Sequence, residues 1–274
     1  MKTLLSVLLL SLSTAGFAIG GPKQDAMHSY LDYVGSQIID PVVFVRVSEI
    51  YTGTGVVIYS GVGKNSGDVA TFVVTNFHVI SELISQEEGA AVYKPAKVWI
   101  YRYAEKGSLS SRGMYVANIV AFDKEADLAL LQLHGNSDTL TNVAKIGRSP
   151  PRVLEQVFAV GSGLGWVPFP TLGMVSYVDE KTILASAPII LGSSGGGLFA
   201  LNHDTGQHEL VGVAKTISTV TINGDVKVPG FLNIGHRMVP TTVEVPVPHM
   251  GHFITMKGVC TFLTENGHAY ICID

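Results

Sequence analysis

The chain has 274 residues, of which 47% are hydrophobic and only 15% are charged. This balance excludes a disordered polypeptide and supplies enough apolar side chains for a full core in one or two domains. The formal net charge is -4 and no segment concentrates Lys or Arg, so a nucleic-acid partner is not expected.

The first eighteen residues have the pattern of a secretory signal peptide. Lys2 precedes an apolar stretch from Leu4 to Leu12, and small residues follow at Gly16 and Ala18. The pattern predicts cleavage after Ala18, with an alternative cut three residues earlier. An uncleaved membrane anchor is the competing interpretation, but the stretch is shorter than the ~20 residues that span a bilayer. We therefore expect a periplasmic or secreted protein without stable membrane insertion.

An amphipathic helix is predicted between Pro22 and Asp40, ahead of the main body of the chain. Its apolar side chains recur at helical spacing, and we expect that face to pack against the body of the protein. These side chains are Met27, Tyr30, Leu31, Val34 and Ile38.

From Pro41 onward, short β-branched and aromatic runs separated by Gly, Asn, Ser and Asp are typical of an all-β protein. Six runs precede Leu140: Val42–Arg46, Gly55–Tyr59, Thr71–Thr75, Val98–Tyr103, Tyr115–Phe122 and Leu128–Leu133. Six follow the break at residues 149–151: Leu154–Val160, Met174–Val178, Thr182–Ala187, Gly197–Leu201, Leu210–Ile217 and Phe231–Val239. This count predicts two six-stranded antiparallel barrels, over about 41–140 and about 152–240, with a ligand cleft between them.

Two segments carry a histidine and an acid of the types that nucleophilic acyl transfer requires. His78 lies just beyond an apolar strand, where its imidazole could accept a proton from a hydroxyl. Asp127 directly precedes the strongly apolar run Leu128–Leu133, where a carboxylate orients an imidazole. Asp123, in the same segment, fits a surface turn better. A histidine in such a place is, taken alone, more often structural.

A third segment, Leu191–Leu198, places Ser193 and Ser194 among four glycines. Glycine backbones adopt strained turns and direct N–H groups to one point, which stabilises a developing oxyanion. Taken alone, the segment also fits a flexible Gly/Ser loop. The three segments together favour a catalytic interpretation.

The segment after Pro240 alternates with prolines and is expected to be an extended tail, over residues 241–274, that leads into a short hairpin. His249 and His252 are potential metal ligands, but no further Cys, His or acidic cluster completes a site at the right spacing. Neither a metal nor another cofactor is therefore expected.

The only two cysteines of the chain, Cys260 and Cys272, lie in the last fifteen residues. A β-hairpin is predicted around residues 265–267, with Gly267 in the left-handed conformation that such a loop requires. Counting back along both strands places the cysteines opposite each other, within reach of a disulfide. Two free thiols would be expected in a reducing compartment, so the disulfide prediction depends on export.

Together these segments resemble the trypsin-like serine peptidases, especially the bacterial high-temperature-requirement (Deg-type) branch. The likeness covers about residues 41–240, and the motifs stand in the order of the family. Besides the three segments, they are Gly53-Thr54-Gly55, Ala159-Val160-Gly161-Ser162, Gly173-Met174-Val175-Ser176 and Val211-Gly212-Val213. The resemblance implies the paired-barrel fold and hydrolysis of peptide bonds in protein or peptide substrates. Only about thirty-five residues follow Val239, too few for the peptide-binding PDZ domain usual in that branch.

By this resemblance His78 is the general base, Asp127 orients it and Ser194 is the nucleophile. The N–H groups of Gly192 and Ser194 would form the oxyanion hole. Ser193 occupies a variable position of the family. Digestive members have aspartate there, which pairs with a newly cut N-terminus, so the sequence excludes activation by that ion pair.

The resemblance also implies the substrate-binding residues, which would wall the primary specificity pocket and pair with an extended substrate. They are Ile189, Ile190, Leu191, Ala214, Lys215 and Thr216. No buried acid is available for a basic side chain, so an apolar residue is expected before the cleaved bond. Its burial would contribute ~1.5–3 kcal/mol.

Three other functions fit parts of the sequence. An esterase of the α/β-hydrolase kind also uses Gly-x-Ser-x-Gly, but that fold needs a helix after the serine and the order Ser, Asp, His. A catalytically silent protease-fold module, or an enzyme that cleaves mainly itself, would carry the same motifs. These last two would turn over little added protein, whereas an endopeptidase would degrade it.

Overall fold

A computed structural model describes residues 22–62, 69–87, 90–104, 108–134, 142–229 and 236–273. The predicted signal peptide lies outside the described residues, as does the first part of the predicted strand Phe231–Val239. Within the described ranges, no helix has the length and apolar character needed to cross a membrane.

The described part of the chain forms three α-helices and fourteen β-strands. The helices are α1 (Pro22–Ile38), α2 (Phe77–Ile80) and α3 (Met256–Glu265). The strands are β1 (Val42–Arg46), β2 (Thr52–Val62), β3 (Val69–Thr75), β4 (Ile84–Glu87), β5 (Ala90–Tyr93), β6 (Ala96–Ala104), β7 (Ser108–Asp123), β8 (Leu128–Leu133), β9 (Gln156–Gly161), β10 (Phe169–Val178), β11 (Thr182–Ala185), β12 (Gly197–Asn202), β13 (Gln207–Pro229) and β14 (His236–Thr255). Short 3-10 helices lie at Ser81–Leu83, Gly163–Gly165 and Ala269–Cys272.

The prediction of two closed six-stranded antiparallel barrels is confirmed. Barrel one has the strand order β1-β2-β3-β8-β7-β6, and barrel two has the order β10-β11-β14-β13-β12-β9. The strands β4 and β5, which the sequence pattern did not reveal, form a separate two-stranded sheet. At four residues each, they are too short to show an alternating pattern.

Alternation along the strands builds the two kinds of core in this fold. Val43 and Val45 of β1 join the apolar cluster inside barrel one, whereas Val42, the first residue of β1, joins a different cluster. That cluster also contains Phe199 of β12 and Phe262 of α3, so it packs the barrels against each other and against the helices. Because successive side chains of a strand point to opposite faces, one strand serves both cores.

The strand that closes barrel two is not the predicted Phe231–Val239. β14 joins the barrel through Gly251–Ile254, which pairs with β11, so the residues after Pro240 are not a separate tail. The first part of β14, His236–Val247, pairs with Ser218–Pro229 of β13 in a two-stranded extension, here called the ribbon. The prolines suggested an unpaired chain, but an edge strand tolerates proline because its outer side needs no N–H donor.

The predicted C-terminal β-hairpin is wrong, because this region forms α3. The Thr255 hydroxyl accepts a hydrogen bond from the Gly258 N–H at 3.2 Å and so begins the helix. Gly267 has the expected left-handed φ of +81°, but it follows the end of a helix instead of turning a hairpin. The helical spacing begins before Cys260 and is shown by the buried residues Met256, Val259, Phe262 and Leu263.

Cys260 of α3 and Cys272 of the last 3-10 helix are bonded in the structure, with 5.9 Å between their Cα atoms. The pairing arises from a helix packed against a turn and not from facing strands. Two aromatic contacts fix the same segment on barrel one. Tyr270 lies edge-on to Tyr59 at 5.3 Å between ring centroids, and His268 contacts Phe72 at 5.0 Å.

A buried histidine links α1 to barrel two and makes stability dependent on pH. Gln37 Oε1 accepts hydrogen bonds from the His208 backbone N–H at 2.9 Å and from its Nδ1 at 3.2 Å. Burial lowers the pKa of His208 from its ordinary value of 6.5. Between the lowered value and 6.5, the unfolded chain binds a proton that the folded chain does not, so the free energy of unfolding falls as pH falls.

We therefore expect the melting temperature to decrease between about pH 7 and pH 5. The decrease should be less steep in His208→Gln, measured by calorimetry alongside the parent protein. Burial also lowers the pKa of His268, which stays in both proteins and leaves a residual slope. Parallel curves for the two proteins would show that His208 does not cause the effect.

Candidate active site

The pairing of two strands in barrel one brings the predicted histidine and acid together. β3 and β8 lie side by side, with Val74 opposite Leu130 and Thr75 opposite Ala129. The antiparallel pairing places the end of β3 beside the start of β8. α2, which begins two residues after β3, carries His78, and Asp127 directly precedes β8.

His78 and Asp127 are hydrogen-bonded. The His78 Nδ1 lies 2.9 Å from one carboxylate oxygen of Asp127 and 3.0 Å from the other. The backbone N–H of His78 also donates to Asp127 Oδ1 at 3.0 Å. Because a carboxylate only accepts, this contact places the ring proton on Nδ1 and leaves Nε2 as the proton acceptor.

A neighbouring residue that the sequence analysis did not single out holds the acid in place. Asp127 has a left-handed φ of 57°, unusual for a residue with a side chain. The fully buried Asn76 donates from Nδ2 to the Asp127 carbonyl at 2.9 Å and supports that conformation. Asp123, by contrast, lies in a turn, where its Oδ1 accepts the N–H groups of Glu125 and Ala126 at 2.8 and 3.0 Å.

Ser194 and Ser193 have different surroundings. Ser194, in the turn before β12, lines a cavity of about 480 Å³ together with His78 and Asp127. Ser193 is only 5% exposed, and its Oγ accepts the Ile190 N–H at 3.3 Å. The structure therefore brings His78, Asp127 and Ser194 to one cavity and turns Ser193 inward.

The turn before Ser194 leaves two N–H groups available. The Leu191 carbonyl accepts a hydrogen bond from the Leu164 N–H at 2.7 Å. Because a peptide unit is planar and trans, the Gly192 N–H then points away from Leu164. Gly192 has a φ of +93°, which favours glycine. Within the described ranges, neither Gly192 nor Ser194 donates its N–H to another group.

Thr54 of barrel one holds this turn of barrel two, a role that the sequence analysis did not assign. Its N–H donates to the Ser194 carbonyl at 2.8 Å, and its hydroxyl donates to the Gly192 carbonyl at 2.7 Å. The same hydroxyl accepts the Ser162 N–H at 2.8 Å. The sequence signal for this role is the Gly53-Thr54-Gly55 motif. Position 53 requires glycine because an added Cβ would lie 2.6 Å from the Val79 side chain.

The cavity walls contain five of the six predicted substrate-binding residues together with one that was missed. Ala214 does not line the cavity. It is buried, its N–H donates to Gly196 at 2.8 Å, and its carbonyl accepts from Gly195 at 2.9 Å. Ile217 takes a place in the wall instead, after an irregularity in β13 between Ala214 and Thr216. The lining residues besides His78, Asp127 and Ser194 are Ile189, Ile190, Leu191, Lys215, Thr216 and Ile217.

The two histidines considered as metal ligands do not form a metal site with described neighbours. No group of three or more His, Cys, Asp or Glu side chains in the described ranges is placed to hold a metal ion. His252 is instead hydrogen-bonded through Nε2 to the Ser218 hydroxyl at 2.8 Å, at the base of the ribbon.

Known proteins share sequence and fold with this chain. Residues 53–213 match the trypsin-like peptidase domain family. A curated relative, "Protease Do-like 5, chloroplastic" of Arabidopsis thaliana, is 29% identical over 150 residues, which are 50% of this chain and 44% of the relative. The chain thus spans less than half the length of that relative.

Two solved structures are similar to this fold. The serine endoprotease from Yersinia pestis has a TM-score of 0.56 and 19% identity, over 86% of this chain and 66% of that chain. Deg5 has a TM-score of 0.50 and 25% identity, over 70% of this chain and 86% of that chain. The first likeness is one of fold alone.

Proposed function

The chain belongs to the trypsin-like peptidase family, and from this premise we propose that it is an exported serine endopeptidase with a Ser-His-Asp triad. The observation that carries the proposal is the cavity that Ser194 shares with the hydrogen-bonded pair of His78 and Asp127. Its substrates are proteins or peptides.

The proposed reaction passes through an acyl-enzyme. The Ser194 Oγ attacks the carbonyl carbon of the substrate while His78 Nε2 takes the hydroxyl proton. Asp127 keeps its hydrogen bond to Nδ1–H and stabilises the imidazolium. The oxyanion accepts hydrogen bonds from the N–H groups of Gly192 and Ser194. His78 gives its proton to the leaving amine as the carbon–nitrogen bond breaks. A water molecule then attacks the acyl-enzyme in the same way, with His78 again taking the proton, and the acid product is released.

The cavity walls support an apolar residue before the cleaved bond. Ile189, Ile190 and Ile217 contribute aliphatic surface, and Lys215 is the one charged wall residue outside the triad in the described cavity. The strand from Lys215 to Ile217 borders the cavity and would pair with an extended substrate by strand addition. The residues proposed to pair with substrate are therefore Lys215 to Ile217 instead of Ala214 to Thr216. The N–H and the carbonyl of Ala214 are already hydrogen-bonded to Gly196 and Gly195.

The structure argues against one competing function, the α/β-hydrolase, and does not separate the other two from the proposed endopeptidase. The residues after Ser194 form β12 and the fold is two β-barrels, so the α/β-hydrolase interpretation has no support. A silent module or a self-cleaving enzyme would share this fold, and only turnover of added protein separates them from the proposed endopeptidase.

Casein hydrolysis and labelling by a fluorophosphonate probe test the proposal together. We expect the purified protein to degrade casein and to carry the probe on Ser194, located by peptide mass spectrometry. Labelling without casein hydrolysis would favour the self-cleaving enzyme. Absence of both would favour the silent module.

Export is part of the proposal and has its own test. We expect the mature protein to begin at Ile19, after removal of the predicted signal peptide. N-terminal sequencing of protein from the extracytoplasmic fraction checks this position. An oxidising compartment would also maintain the bond between Cys260 and Cys272. A mature chain that retains Met1 would argue against export by cleavage.

Gly192→Ala is expected to lower kcat by roughly 10²–10³-fold, the loss typical of removing one oxyanion donor. A Cβ at position 192 would lie 2.8 Å from the Ser162 carbonyl oxygen, and the φ of +93° strains any side chain. The turn must therefore shift and carry its N–H with it. Gly206→Ala is the matched control, with a φ of +68° and no atom within 4 Å of the added Cβ. A similar kcat loss in both variants would contradict the role of Gly192.

A further inference from the structure

The β13 strand has one edge that becomes free at the proposed active site. β14 pairs with one edge of β13 between Gly212 and Pro229, with register shifts between Ala214 and Thr216 and between Ile217 and Ser218. β12 occupies the other edge only from Gln207 to Val213. From Lys215 onward, the second edge has no neighbouring strand in the described part of the chain.

The free edge is continuous with the cavity. Gly197, three residues after Ser194, is the residue of β12 that pairs with Val213, so the edge opens where the proposed nucleophile lies. Lys215, Thr216 and Ile217 line the cavity, and the ribbon starts at the next residue. A chain that pairs with β13 at the cavity therefore meets the ribbon if it extends further.

The two outer edges of the ribbon differ in their capacity to accept another strand. β14 carries Pro240 and Pro246, which have no N–H to donate and protect an edge against strand addition. The β13 edge has no proline from Lys215 to Asp225. Six of its seven residues from Thr216 to Ile222 are β-branched, the type that favours strands. The β13 edge is thus the one suited to strand addition.

One face of the ribbon is an exposed apolar stripe. Val220 pairs with Val245 and Ile222 pairs with Val243, so the four side chains share a face. Each is between 40% and 54% exposed. A two-stranded sheet is marginally stable in water, and a third strand would cover part of this stripe.

We propose that the ribbon extends the substrate-binding edge and selects polypeptides with apolar residues at alternate positions upstream of the cleaved bond. This inference rests on the proposed function. The residue before the cut fills the cavity, and the preceding chain adds to β13 as a third strand. Roughly the fourth to eighth residues before the cut then lie along Ser218 to Ile222. Their alternate side chains contact Val220 and Ile222.

The described part of the ribbon has few charged side chains, which suits an apolar ligand. Among its described side chains, residues 218–225 and 240–247, only Asp225 and Glu244 are charged. Recognition along this surface therefore depends on backbone hydrogen bonds and apolar contact, which suits extended segments of unfolded proteins.

Three fluorogenic peptides test the proposal. All share the last three residues before the cut, the last of which is leucine. Two carry five more residues, Val-Thr-Val-Thr-Val or Thr-Val-Thr-Val-Thr. We expect kcat/KM of one long peptide to exceed that of the short one by about tenfold. The other long peptide should gain less than about twofold, because a shift of one residue turns its valines to the other face.

Paired variants assign the gain to the stripe. V220T/I222T keeps β-branched side chains and should bring the ratio of long to short peptide close to one. T219S/T221S changes the opposite face of the same strand and should keep the ratio. Methylation of single backbone nitrogens in the favoured peptide should lower kcat/KM only at every second position, since a paired strand turns alternate N–H groups toward its neighbour.

The outcomes separate this inference from the proposed function. Cleavage of all three peptides at equal kcat/KM overturns the ribbon proposal and leaves the peptidase proposal intact. If no peptide is cleaved, the peptidase proposal fails. Binding of the three peptides to Ser194→Ala, measured by fluorescence anisotropy, then tests the ribbon proposal on its own. Register-dependent binding there supports the ribbon proposal, and its absence overturns it. A dimer that V220T/I222T converts to a monomer would make the stripe a self-interface and also overturn the proposal.

Discussion

Replacing Ser194 by alanine is expected to lower kcat by roughly 10⁴ to 10⁶-fold, because the members of a triad act as one unit. The variant keeps the His78–Asp127 pair and the two N–H donors, but has no oxygen to form the acyl bond. Binding of peptide should persist, so KM should change far less than kcat. Single-turnover kinetics with a fluorogenic peptide and loss of fluorophosphonate labelling measure this effect.

Ser193→Ala is the matched control for that experiment. It removes a hydroxyl one residue away that faces inward and accepts the Ile190 N–H. Losing one such hydrogen bond costs about 0.5–1.5 kcal/mol, so we expect kcat to fall by no more than about tenfold. Near-native activity of Ser194→Ala together with a large loss in Ser193→Ala would reverse the assignment of the nucleophile.

Asp127→Asn is expected to lower kcat by about 10⁴-fold at neutral pH with little change in the fold. The two carboxylate oxygens accept the His78 Nδ1–H and the His78 backbone N–H. An amide in that place offers a donor as well as an acceptor, so it stabilises the tautomer with the proton on Nε2. The imidazole then cannot take the Ser194 proton. Steady-state kinetics between pH 6 and 10, with circular dichroism as a folding check, test this prediction.

Asp123→Asn separates the role of the two acids. Asp123 accepts two N–H groups in its own turn, and an asparagine oxygen accepts the same hydrogen bonds. We expect kcat of this variant to stay within about twofold of the parent. If Asp123→Asn lost as much activity as Asp127→Asn, the acid of the triad would have been misassigned.

The positions of His78 and Asp127 at strand ends could be predicted from local patterns. β-Branched residues mark β3 and a leucine-rich run marks β8, and each polar residue stands at an end of its run. The meeting of the two residues was implied only by the family resemblance, because β3 and β8 pair across four intervening strands and no local pattern reports that pairing. Ser194 was proposed as the nucleophile from the family resemblance and from its glycine neighbours, and Gly192 and Gly195 on either side of the two serines have positive φ.

Three other features could not be predicted, each for a different physical reason. Thr54 bonds to Gly192 across 138 positions, and no local pattern reports such a partner. The ribbon was missed because prolines in β14 disguised a paired strand as an extended tail. The residues from Cys260 onward do not reveal α3, because its Thr255 cap and its first turn lie before that cysteine.

The hydrogen bonds of Thr54 have a consequence for the timing of activity. They shape the Ser194 turn from the opposite half of the molecule, so the turn acquires this support only after the C-terminal half has docked. The residues of the proposed active site are thus divided between an early and a late segment of the growing chain. Under the proposed function and export, a nascent or partly translocated polypeptide would lack a working centre. This division would protect the export machinery, and the emerging chain itself, from premature cutting.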